Sequence, residues 1–422
     1  MKLQYDSYKP SGIDWIGDIP SPWRIVRIKN IISLLTDYDA NGSFSDIASN
    51  CKINEGIPYA WMVRATDLEN KRYGIVEGNN YCDISTYRYL SKSSLVKDDI
   101  LIAKRGDIGK SYLVPNCDSP MTLAPNTYLL KTLKNLINNH YLFYYLQSSS
   151  GKENLRLENK STTLGALYKD DVKRIPIPLP PLTEQEAIAA WLDEKCGEID
   201  AAIAKVDREI ELIDELKQSE ISRVVTRGLN PDAPLRPSGI DWIGDIPEHW
   251  IIAPFKRSLK INNGCDYKHI VSEEGYPVIG SGGQFAFASD YLYDGEVLLL
   301  GRKGTIDRPM HYIGKFWTVD TMFYAIPNNN VCCKYMYYQA LGFPFDYYST
   351  ATALPSMAAS DLANNPIIVP PLPEQQAIAD YLDKKCADID GLKAKLSKKR
   401  ETLTELRQSI ISEVVTGKRK VI

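Results

Sequence analysis

The chain is predicted to be an α+β protein built twice over, with two mixed α/β bodies and two long helices in an internal pseudo-two-fold repeat. Three observations predict this. First, Pro10-Ser-Gly-Ile-Asp-Trp-Ile-Gly-Asp-Ile-Pro20 recurs residue for residue at Pro237–Pro247, each copy followed by a tryptophan, Trp23 or Trp250. Second, Pro180-Pro-Leu-Thr-Glu-Gln185 is echoed by Pro370-Pro-Leu-Pro-Glu-Gln375, and the match continues without a gap through Cys196/Cys386, Glu215–Ser219/Glu405–Ser409 and Thr226/Thr416. Third, the stretches after these motifs carry apolar residues at spacings of three, four and seven, the signature of long paired helices. A repeat of this clarity determines the fold before any local preference is weighed.

Taken in order, residues 1–175 form the first body, 176–229 the first helical segment, 230–366 the second body and 367–422 the second helical segment. The Gly- and Pro-punctuated openings read as ordered loops. Their tryptophans, Trp15 and Trp23 in one copy and Trp242 and Trp250 in the other, either clasp each half onto the helix ends or contact a partner. In the first body, strands are expected at Ile57–Val63, Asp99–Ala103, Ser111–Val114 and Asn126–Leu130, with a helix at His140–Gln147. In the second, they are expected at Pro277–Gly280, Glu296–Leu300, His311–Ile313 and Met322–Ile326, with a helix at Lys334–Leu341. The second body is 37 residues shorter, measured between the flanking repeats.

The first long helix is expected over about 183–226, with a seam of Ile188, Leu192, Ile199, Ile203, Val206, Ile210 and Ile213. The second has Ile378, Leu382, Ile389, Leu396, Leu403, Leu406 and Ile410, with Cys196 and Cys386 at equivalent seam positions. Thr183 and Glu186 make a T-x-x-E capping box, which Pro373 removes from the second copy. Gly228 and Gly417 stand where helices stop. Some 44 residues give a rod of about 65 Å.

Composition sets limits. A 44% hydrophobic and 24% charged chain is an ordinary globular protein, and a net charge of −3 carries no overall basic excess. The N-terminus lacks an apolar leader and no run reaches 18 apolar residues, so a cytoplasmic protein without a membrane span is expected. Eight cysteines without a C-x-x-C and four scattered histidines point to reduced thiols and no metal site. Gly109-Lys-Ser111 lacks the earlier glycine of a phosphate loop, since Lys104 occupies that position. Gly280-Ser-Gly282 lacks its third glycine, at Phe285. With no H-E-x-x-H and no nucleophile elbow, neither catalytic nor cofactor-binding residues are expected.

A pseudo-two-fold chain with two separated bodies suits a long ligand with a dyad of its own, and duplex DNA is the commonest. Differing bodies would read differing half-sites. Each body contains an apolar strand ending in paired cations and a glycine: Ile102-Ala-Lys104-Arg105-Gly106 and Leu300-Gly-Arg302-Lys303-Gly304. Arg64, Lys104, Arg105 and Lys110 in the first body, and Arg302, Lys303, Arg308 and Lys315 in the second, are the candidates for base or phosphate contacts. The Thr162 and Thr352 loops either face the groove or cap the sheet.

These features together resemble the specificity subunit of type I restriction–modification systems. The resemblance rests on Ile175–Leu182 with Glu184-Gln185, on Ile367–Leu372 with Glu374-Gln375, and on the two Gly-Ile-Asp-Trp-Ile-Gly-Asp-Ile-Pro openings, and covers essentially the whole chain. It implies that each body is a target recognition domain reading half of a bipartite DNA sequence, and that the helices pair antiparallel and set the spacer. It also implies two methyltransferase partners that hold S-adenosylmethionine and methylate adenine, and motor and nuclease partners that use ATP. The chain itself would be non-catalytic. On this view the helix starts, with Glu184, Gln185, Glu374 and Gln375, and the four clasp tryptophans become docking surfaces. The family's base-contacting residues vary with the target, so none is carried over. The other readings from the residues are a coiled-coil scaffold whose bodies bind proteins or glycans, and a fused enzyme.

Overall fold

The structure, a computed structural model, describes residues 4–158, 167–345 and 355–421. The chain divides into two units. Unit 1 comprises Met1–Lys205 with Lys399–Ile422, and unit 2 comprises Val206–Lys398. Each unit therefore contains one body, the start of one long helix and the end of the other.

The long helices are Leu182–Arg227 and Leu372–Val415. Both begin at the leucine of the Pro-Pro-Leu motif, where the carbonyls of Pro181 and Pro371 accept from the next turn. Thr183 thus lies inside the first turn rather than at the cap, so the expected capping box does not form. Pro373 occupies the same first-turn position, where an amide has no helical acceptor in any case. Both helices stop at a left-handed glycine, Gly228 and Gly417, each with φ +74°.

Helix pairing is antiparallel within each unit. In unit 2, Asp214 binds Lys393 (2.7 Å) and Lys217 binds Asp390 (2.7 Å). In unit 1, Asp200 binds Arg407 (2.8 Å). Ile188, Leu192, Ile199, Val206, Ile378, Leu382 and Ile389 are buried, while Ile203, Ile210, Ile213, Leu396, Leu403 and Ile410 are half-buried. Leu406 departs from the expected seam, being 46% exposed. Arg407 turns inward to Asp200 and the buried positions are Ile411, Val414 and Val415, so Leu406 sits off the stripe.

The opening repeats are β-hairpins rather than loops. Tyr8–Pro10 pairs with Asp18–Pro20, and Leu235–Pro237 with Asp245–Pro247, in matching register. Beyond them, Arg24–Arg27 pairs with Pro176–Leu179, and Ile251–Pro254 with Pro366–Val369, tying the start of each body to its end.

The first body holds two four-stranded sheets. One runs Tyr81–Cys82, Ala60–Val63, Met121–Leu123, Ser94–Leu95, and the other Ile32–Asp37, Thr127–Thr132, Ile100–Ala103, Ser111–Leu113. The second body holds one seven-stranded sheet in the order Leu259–Asn263, Met322–Pro327, Tyr293–Gly301, Met310–Thr318, Tyr276–Gly280, Gly283–Ala288, Val271–Ser272. The helices expected near 140 and 334 are present at Asn139–Gln147 and Cys333–Ala340. In unit 1 the main core joins Trp23, Tyr141, Tyr145, Ile188, Leu192 and Val414. Its counterpart in unit 2 joins Trp250, Tyr335, Ile378, Leu382 and Val224.

Candidate functional site

The repeated motifs form a joint, built the same way in both units. The buried amide of Gln185 accepts from the Asn138 N–H (2.9 Å) and donates to the carbonyls of Leu136 and Pro180. Gln375 accepts from the Cys332 N–H (2.9 Å) and donates to the carbonyls of Asn330 and Pro370. Each glutamine thus fastens a long-helix start to the start of a body helix. The adjoining glutamates hold the clasps. Trp23 Nε1 donates to Glu184 (3.2 Å) and Trp250 Nε1 to Glu374 (2.9 Å). The second carboxylate oxygen takes Tyr5 in unit 1 (2.6 Å) and His249 in unit 2 (2.8 Å). Each clasp tryptophan also lies against the glycine that ends the other long helix, Trp23 on Gly417 and Trp250 on Gly228. Gln185, Gln375, Trp23 and Trp250 are therefore engaged by the chain itself and buried, with nothing free to offer a partner. Trp15 and Trp242 keep partly open faces.

Each body helix adds a repeated anchor. Tyr144 and His140 bind Asp193 (2.8 and 3.0 Å), and Tyr338 and Lys334 bind Asp383 (2.8 and 2.6 Å). Tyr141 donates to the carbonyls of Pro178 and Val415, and Tyr335 to those of Ile368 and Val225.

The cation tips behave differently. In the first body, Lys104 is 13% exposed at its side chain and bonds Asp37 (3.2 Å) and Asp39 (2.7 Å). Burial disfavours its charge, but the Asp39 and Asp37 hydrogen bonds prevail and hold it above its ordinary pKa. Asp37 is in turn held below its ordinary value, since the bonds to Lys169 and Lys104 outweigh its burial. Lys110 bonds Glu69 (2.6 Å), and Arg64 bonds Asp67 (2.7 Å) and the Gly78 carbonyl. These three cations are thus each ion-paired within their own body. Arg105 is exposed and makes no hydrogen bond or ion pair among the described residues.

In the second body, Lys303 and Arg308 are exposed without an ion pair among the described residues. Arg302 lies over the Phe323 ring (5.7 Å), and Lys315 is set against Tyr276 (5.6 Å) and Tyr291 (4.6 Å), with no ion pair among the described residues. Thr162 and Thr352 fall outside the described residues. The segments that follow them return to the tips, since the Leu167 N–H donates to the Lys104 carbonyl and the Met357 N–H to the Arg302 carbonyl. Sequence reading missed Phe285 and Phe287, which alternate with Ala286 on the strand Gly283–Ala288 and are both exposed. Phe285 packs edge-on against Tyr267, with ring centroids 5.2 Å apart.

Two differing tips on one repeated frame are a recognition architecture, and comparison with known proteins identifies it. The family described as "Type I restriction modification DNA specificity domain" matches residues 20–211 and 254–399. The chain belongs to this family. A relative in Methanocaldococcus jannaschii, the putative type I restriction enzyme MjaX specificity subunit, is 24% identical over 96% of both chains. In fold, the chain is similar to a solved chain from a study of complex assembly and conformational transition of the type I R-M system (TM-score 0.71, 16% identity, 94% of this chain and 98% of that one). It is also similar to the HsdS subunit of Thermoanaerobacter tengcongensis (TM-score 0.50, 16% identity, 94% and 98%). The protein is thus a type I specificity subunit that recognises DNA by sequence, as the resemblance led one to expect, and the scaffold reading is not favoured. No helix among the described residues is long and apolar enough to cross a membrane.

Proposed function

We propose that this specificity subunit reads an asymmetric, two-part duplex DNA site, one part with each body, and carries two methyltransferase subunits without being catalytic itself. The observation that carries this reading is the pairing of near-identical joints with dissimilar tips. Of the first body's candidate cations, Arg105 is the one without an ion pair among the described residues, against the Arg302, Lys303, Arg308 and Lys315 set of the second. Arginine can grip a guanine edge with two parallel bonds, while lysine supplies mainly charge to phosphate. Two docking positions are supported by Leu216 and Leu406, equivalent leucines 190 residues apart and both left exposed, one in each unit. S-adenosylmethionine belongs to the methyltransferase partners and ATP to restriction and motor partners, and the complex works in the cytoplasm. The test is to co-express the chain with a methyltransferase subunit and map adenine methylation in the host DNA. Two short specified parts around a fixed gap are expected. A single continuous motif would sink the two-part reading.

A further inference from the structure

Three metal-ligating side chains of different kinds converge in unit 2. Glu296, His311 and Cys333 offer a carboxylate oxygen, a ring nitrogen and a sulfur that all lie within 4.8 Å of one another. They come from three elements. Glu296 lies on the strand Tyr293–Gly301, His311 on its neighbour Met310–Thr318, and Cys333 is the first residue of the body helix Cys333–Ala340. Leu298 pairs directly with His311, and Leu298 and Leu300 belong to the core that also contains Cys333. Glu296 continues that sheet face toward the rim. His311 Nε2 already meets Glu296 Oε1 at 2.7 Å, with the histidine side chain 14% and the glutamate 42% exposed.

The first body solves the same junction otherwise. Asn138 and Cys332 are equivalent, since each gives its N–H to the joint glutamine, so Asn139 stands where Cys333 does. Asn139 is used up by hydrogen bonds to the Asp98 carbonyl (2.6 Å) and the Thr132 hydroxyl. Cys333 forms no such bond among the described residues, and its sulfur lies within 4.8 Å of an imidazole nitrogen and a carboxylate oxygen instead. We propose that Glu296, His311 and Cys333 bind a single zinc-like divalent cation that fastens the start of the body helix to the strands Tyr293–Gly301 and Met310–Thr318.

The donor set decides the class of metal. A thiolate with an imidazole selects zinc or cobalt over magnesium or calcium, which prefer oxygen alone. Three protein ligands leave a fourth, solvent-facing position in a tetrahedral site. Around zinc, a nitrogen and an oxygen each about 2.0–2.1 Å from the metal sit about 3.3 Å apart. The His311–Glu296 pair must therefore open by roughly half an ångström. The exposed Glu296 side chain has room for this. Cys333 gives up its thiol proton to solvent as the metal–sulfur bond forms. Sequence spacing of 15 and 22 residues conceals the set from motif reading.

The test is to titrate the full chain, stripped with a chelator and kept under a non-thiol reductant, with Co²⁺ and follow its absorption. One equivalent should produce a sulfur-to-cobalt charge-transfer band in the near ultraviolet and tetrahedral-intensity bands in the visible, displaced by Zn²⁺. Cys333→Ala should abolish the charge-transfer band, His311→Ala should weaken binding sharply, and Glu296→Gln should weaken binding but keep the band. Cys265→Ala, which removes an exposed thiol elsewhere in unit 2, should change nothing. Absence of a charge-transfer band in the unaltered chain would overturn the proposal without recourse to any variant. So would a band that survives Cys333→Ala.

Discussion

In unit 1 the Gln185 amide, the Glu184 carboxylate and the Trp23 indole lock a helix start, a body helix and a clasp together. In unit 2, Gln375, Glu374 and Trp250 make the same bonds between the same kinds of group. Their tips share a backbone return but hold their cations differently. Lys104 and Lys110 are tied to carboxylates of their own body, whereas Lys303 and Arg308 are open and Lys315 rests on two tyrosines. The difference teaches that one frame can hold two unrelated readers, because the joint is satisfied internally and asks nothing of the tip.

The largest expected effect breaks the likeness of the two helix ends. A Cβ on Gly417 would lie 2.2 Å from Pro20 Cδ, whereas on Gly228 its nearest neighbour is the Trp250 ring at 3.0 Å. Both glycines hold φ +74°. Gly417→Ala should cost about 3 kcal/mol from left-handed strain plus overlap with a rigid ring, and Gly228→Ala about 1–2 kcal/mol, measured by denaturant unfolding. Equal losses would mean that the Pro20 clasp yields.

A second comparison should come out equal. Gln185→Ala and Gln375→Ala each strand a buried N–H and two carbonyls, so each should cost about 1–3 kcal/mol. A clear inequality would show that the joints are not interchangeable.

The tips should then separate. Arg105→Ala and Arg302→Ala should each cost about 1–3 kcal/mol of DNA binding and relax preference at one base position of one half-site. Lys104→Ala should instead destabilise the first body by about 1 kcal/mol, because Asp37 loses one of its two lysine partners and keeps Lys169, with the preferred bases unchanged. A shifted base preference in Lys104→Ala would return that lysine to the reading surface.

The smallest effect lies in acid. Asp37 in unit 1 is held low by Lys169 and Lys104 against its burial. Glu220 in unit 2 is lowered to about 2, chiefly by Arg223, with Tyr381 adding to it against burial. A depressed carboxylate contributes stability that is complete above its ordinary range, near about pH 4, and is lost as pH falls through the folded value. For Glu220 that window extends down to about 2. Asp37→Asn and Glu220→Gln should each flatten the acid limb of a stability–pH curve.

Much of this molecule was determined by its sequence. The two long helices end where Gly228 and Gly417 said they would, and begin within a residue or two of the expected start. The strands near 100, 127, 277, 296 and 322 lie at their expected places, and the duplicated motifs named the family. Periodicity, capping and turn preference act over a few residues, so a linear reading captures them. Tertiary structure alone decided which groups meet. Trp23 finds Glu184 across 161 residues, Lys104 finds Asp37 across 67, and Arg407 finds Asp200 across 207. Whether a cation is a reader or half of an ion pair depends on a partner brought near only by folding. Charge acts through space, and nothing local in the chain specifies the distance.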